Sequence, residues 1–111
     1  MSEDFAEADW RVLRSVKDAA LNRLCERILD ECRGVMDDPG LTPHQRYLKM
    51  FKLVQNRDDD IANAFNDMRR SRAVQRISWI KYLDLLTDEE WERFSPRTRE
   101  TALFLAGMIE D

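Results

Sequence analysis

A chain of 111 residues, 43% hydrophobic and 36% charged, has the size of one domain and enough apolar material for a core. Three glycines and three prolines are few for a turn-rich β fold, and no apolar run approaches the ~20 residues that span a bilayer. The acidic start MSEDFAEADW lacks the basic-then-apolar layout of a secretory signal, so a cytoplasmic protein, one helical domain over 1–111, is expected.

The net charge of −4 is unevenly distributed. Residues 1–42 hold six basic and ten acidic groups, residues 43–86 nine and five, and residues 87–111 three and seven. A basic middle between acidic ends suits segments that attract one another more than it suits a nucleic-acid-binding protein.

The first helix is expected over about 3–33. Leu13, Val16, Ala20, Leu24, Ile28 and Cys32 recur every three or four residues, with Trp10 and Val35 toward the same side. Gly34 is placed as a left-handed residue after the helix, and Asp37-Asp38-Pro39-Gly40 is a turn signal. Cys25 and Cys32 share this helix. Seven residues apart, their Cα atoms are roughly 10 Å from each other, beyond disulfide reach. They read as reduced thiols that behave as small apolar residues.

The second helix, about 43–70, has the clearest start. Thr42 is the cap, Pro43 the first helical residue, and Gln45 completes a capping box. Tyr47, Phe51, Val54, Ile61, Phe65 and Met68 lie within about 60° of a common direction. Their shared phase carries the helix through Asp58, Asp59 and Asp60. Adjacent aspartates on a helix point about 100° apart and cannot converge on one ion, and the spacing of a calcium loop is missing. Asp58 falls inside the apolar stripe, so it is expected either to meet an arginine or to lie at a wet edge.

Three shorter helices follow, at about 72–86, 88–94 and 96–109. In the first, Ala73, Val74, Ile77, Trp79, Ile80, Tyr82, Leu83, Leu85 and Leu86 spread around nearly the whole circumference, which predicts burial on several sides. Thr87 and Glu90 form a second capping box, stapled by Leu86 and Trp91, and Ser95-Pro96 opens the last helix. The expected architecture is an all-α bundle of about five helices, two of them long.

Chemistry is scarce. The lone histidine, His44, has no nucleophile or carboxylate at a motif spacing, no Gly-rich loop follows a strand, and no cofactor or metal is expected. Arg69, Arg70, Arg72, Arg76 and Lys81 could track phosphates, which makes a nucleic-acid-binding accessory protein the alternative reading. The leading reading is a non-enzymatic protein–protein interaction or regulatory module acting as a homodimer. Two long helices need more cover than three short ones supply, and Trp79, Tyr82, Leu83 and Leu86 on one side of the third helix are the candidate interface.

Overall fold

The computed structural model describes residues 6–109. Among them are five α-helices and no strand: α1 Glu7–Met36, α2 Pro43–Phe65, α3 Ala73–Tyr82, α4 Asp88–Glu92 and α5 Pro96–Ala106, with a 3₁₀ turn at Arg70–Arg72. The fold is all-α, with two long helices followed by three shorter ones. The start signals work as the side chains dictate. Thr42 Oγ1 accepts from the Gln45 N–H while Gln45 returns a bond to the Thr42 N–H, and Thr87 with Glu90 repeats the pattern. Ser95 Oγ accepts from the Thr98 N–H at the head of α5.

The helix ends differ from the sequence expectations, each for a local reason. The expected first turn from residue 3 lies partly outside the described residues. At its other end α1 runs past Gly34 to Met36, because Val35 on the next turn is buried, and Asp37 closes the helix by donating to Arg33 and Val35. No glycine has a positive φ. The second helix is continuous through Asp58–Asp60 but stops at Phe65 rather than at 70. There Asn66 turns extended and Asp67 takes φ 54°, a conformation that short polar side chains tolerate. That reversal returns the chain toward the core, so Met68 reaches it from a loop rather than from the helix.

α3 ends at Tyr82 instead of 86, in a Schellman turn. Asp84 is left-handed at φ 57°, its N–H donates to Lys81 O at 2.9 Å, and the Leu85 N–H donates to Ile80 O at 3.1 Å. Leu85 thereby folds back into the core, where it is fully buried. α4 and α5 are likewise shorter than expected, closing at Glu92 and Ala106.

The molecule measures 58 × 23 × 21 Å with a radius of gyration of 16.6 Å, above the ~13 Å of a compact 100-residue domain. Its length separates a head from an arm. In the head, Leu13, Val16, Ala20 and Leu24 of α1 meet Ala64 of α2, Ala73, Ile77 and Ile80 of α3, Leu85, Phe94, and Ala102 of α5. The arm is the second half of α1 against the first half of α2, joined by the turn at 37–42. Nothing else covers it.

Polar ties hold the head helices in place. Asp9, in the first turn of α1, is only 2% exposed, and its carboxylate accepts from Ser95 N (2.7 Å), Ser95 Oγ (2.6 Å) and Thr98 Oγ1 (2.6 Å). Burial pushes its pKa up, but the Ser95 and Thr98 bonds together outweigh it and hold the group below its usual value. Arg23 forms a two-pronged bridge to Glu90 at 2.7 and 3.1 Å and also donates to Leu85 O at 2.7 Å. Arg27 donates to Leu83 O at 2.6 Å and to Asp84 O. These two arginines absorb carbonyls that the Schellman turn leaves pointing outward.

Candidate functional site

The arm carries the most unusual surface of the molecule. Met50 and Leu53 of α2 turn toward α1, where Leu24, Ile28 and Val35 form the opposing seam, and each of these five is at least half-buried. A quarter turn away on each helix, large apolar side chains meet solvent. Leu29 and Met36 on α1 are more than half exposed, and so are Tyr47 and Phe51 on α2, with Leu48 and Val54 close behind at 48% each. Cys25 and Cys32 lie on the same side of α1 as free, half-buried thiols.

This placement changes the reading of the α2 stripe. Its phase is unbroken, yet only Ile61 and Phe65 pack on the core; Tyr47, Phe51 and Val54 do not. Beyond the head there is no third helix to receive them. Asp58 shares their direction and is exposed, so it takes the wet edge rather than a buried arginine. Its neighbour Arg57 instead reaches Glu31 on α1 at 2.8 and 3.0 Å and Asp60 at 3.5 Å. The Arg57 hydrogen bonds hold Glu31 below the usual carboxylate range, against the opposing effect of burial. Arg27, Glu31, Arg57 and Asp60 rim an open cleft at the join of arm and head, floored by Leu24 and Leu83. Its charged groups are largely engaged with one another or with backbone. No group of three His, Cys, Asp or Glu among the described residues is arranged to hold a metal.

The four residues proposed as an interface from sequence sit elsewhere. Trp79, Leu83 and Leu86 pack against the chain's own core, and Tyr82 meets Trp79 edge to face at 5.6 Å between ring centres. α5 lies along α3 and supplies cover on one side of it, as α2 does on another. The wide apolar circumference of α3 is thus largely satisfied within one chain. α5 in turn exposes Leu103, Phe104 and Met108 at the far end of the head.

The basic segment is drawn inward as well. Arg69 and Arg72 share Asp67, at 2.6 and 3.6 Å, and Arg70 pairs with Glu7 at the start of α1. Arg76 donates to Asn63 O at 2.8 Å, and its Nε is buried with no partner among the described residues. Lys81 stands 4.6 Å above the Trp91 ring. The Asp9 cluster and the Schellman carbonyls are the features that sequence alone did not point to. Asp9 has no cue beyond its place in an acidic first turn. Set against known protein families, curated proteins and solved structures, the chain matches none.

Proposed function

We propose that this protein is a non-enzymatic protein–protein interaction module, serving as an adaptor or regulator, that works as a homodimer through the apolar face of its arm. One observation carries the reading: Leu29, Met36, Tyr47, Leu48, Phe51 and Val54 are exposed together on a two-helix surface. They present roughly 700 Å², against the ~800 Å² per partner of a standard interface. Soluble monomers seldom leave a patch of that size uncovered. The expectation of a dimer is thus kept, but its surface moves from α3 to the arm.

The nucleic-acid alternative draws less support, because Arg69, Arg70 and Arg72 each already face a carboxylate of the same chain. Light scattering tests the reading. A mass of about 26 kDa, twice the 13.2 kDa chain, is expected at micromolar protein. Leu29→Lys with Phe51→Lys is expected to return it to one chain while leaving helix content intact. A chain that stays monomeric through tens of micromolar would overturn the reading.

A further inference from the structure

The orientation of the pair is written in the arm's own pattern, an inference that rests on the homodimer reading above. Cys25, Leu29, Cys32 and Met36 follow one another at spacings of four, three and four along α1. Tyr47, Phe51, Val54 and Asp58 do the same along α2. Heptad spacing keeps each row on one side of its helix, as in a coiled-coil seam. Each row lies about a quarter turn, in the same rotational sense, from the residues that meet the other helix. Because the two helices run antiparallel, both rows emerge on one face of the arm.

That face is flanked by charges seven residues apart: Glu26 and Arg33 along the outer edge of α1, Lys52 and Asp59 along that of α2. The contacts of Arg57 with Glu31 and of Arg46 with Asp38 O set the register between the helices. In that register Glu26 stands level with Asp59, and Arg33 with Lys52. Both edges therefore carry an acid toward the head and a base toward the tip. Arg33 also pairs with Asp30 on its own helix; Glu26, Lys52 and Asp59 have no ion pair among the described residues.

We infer that two copies pair arm to arm, face to face and antiparallel, with the two-fold axis crossing near Leu29 of α1 and Gln55 of α2. In this arrangement α1 lies on α1 and α2 on α2. Glu26 of one copy opposes Arg33 of the other, Lys52 opposes Asp59, and symmetry doubles each pair. The parallel arrangement instead lays α1 on α2, setting Glu26 beside Asp59 and Arg33 beside Lys52. Acid then meets acid and base meets base on both edges, which repels. The two arrangements bury similar apolar area, so the flanking charges decide between them. One axis position also satisfies both edges at once, because the midpoints of Glu26–Arg33 and of Lys52–Asp59 stand level in the arm.

Two measurements on the full chain test this. With Cys25→Ala and Cys32→Ala, spin labels at His44→Cys near the tip are expected on the order of 35 Å apart in the dimer, from the helical rise to the axis. A distance near ~15 Å, as parallel arms would give with helices about 10 Å apart, overturns the antiparallel inference and leaves the dimer standing. Glu26→Arg should weaken dimerisation roughly tenfold at low salt, with the effect fading as salt is raised, and adding Arg33→Glu should restore it. Tighter association of Glu26→Arg would likewise overturn the orientation. Persistent monomer of the unaltered chain at tens of micromolar would overturn the dimer reading itself.

Discussion

The head and the arm are built from the same two helices with the same kinds of side chain, yet they treat those side chains oppositely. On α1, Leu13 in the head is fully buried while Leu29 in the arm is 53% exposed. Phe94 in the head is 1% exposed, and Phe51 in the arm 53%. Helical periodicity is equally good in both places. What differs is the number of neighbours. Two helices packed side by side bury one narrow seam each, and a broader apolar face needs a third element to receive it. α3, α4 and α5 supply that element for the first half of α1 and the end of α2. The polar ties follow the same division: Asp9 is locked in by buried donors, whereas Arg57 and Glu31 in the arm pair at a partly solvated surface.

If this contrast is right, cutting the head should cost most. Phe94→Ala is expected to destabilise the chain by about 3–5 kcal/mol, through lost burial and the cavity left behind. Urea unfolding of the monomeric chain reads this directly, and a loss under about 1 kcal/mol would mean that the head repacks freely. Asp9→Ala should come next, at about 2–3 kcal/mol, because it strands the Ser95 N–H and the two hydroxyls that now point at a carboxylate. Asp9→Asn, which keeps one acceptor, should fall between that variant and the parent.

Acid should sharpen the comparison further. Asp9 and Glu90 in the head and Glu31 in the arm all sit below their ordinary values of 3.8 and 4.5. For Glu90, the cause is the Arg23 bridge first, reinforced by the Thr87 N–H. A depressed carboxylate keeps fewer protons in the folded state than in the unfolded one. Its stabilisation is therefore complete above the unfolded value and fades as pH falls through the folded one. Stability should hold from pH 7 to about 5 and then decline, with Asp9→Asn making that decline shallower. A urea midpoint unchanged between pH 7 and pH 3 would contradict it.

The arm should respond weakly in the monomer. Glu31→Gln removes the Arg57 pair, whose partners are 42% and 36% exposed, so solvent screening limits the loss to about 1 kcal/mol or less. Smallest of all, Phe51→Ala should leave monomer stability within about 0.5 kcal/mol of the parent, because its ring buries little within one chain. Measured at concentrations where the dimer forms, the same change should lower the thermal midpoint, since association stabilises the folded state. Equal effects at both concentrations would erase the distinction between head and arm.

Helix starts were the most legible part of the molecule. A Thr or Ser hydroxyl, a Pro and a returning Gln or Glu satisfy the first N–H groups from within four residues, so Thr42, Thr87 and Ser95 act as read. Helix ends were less legible because they depend on distant partners. Gly34 looked like a stop but is overridden by the burial of Val35, while Asp67 and Asp84 adopt left-handed turns that few sequence cues announce. The candidate site was legible in kind but not in place. The excess of apolar surface on long helices is visible in the sequence, whereas its location depends on where α3 and α5 come to rest.

The sequence by itself determined the helical class, the helix starts, the continuity of α2 through three aspartates and the phase of every apolar stripe, all of which arise from interactions within a turn or two of chain. Only the tertiary structure decided which stripes become core. Leu13 and Leu29, or Phe94 and Phe51, differ not in type but in whether another helix arrives to exclude water from them, and that is a property of the whole chain's packing. The same holds for charge. The basic segment between 69 and 81 was plain to read, but the partners that draw it inward, Glu7 and Asp67 among them, were chosen by the reversal at Asn66–Asp67.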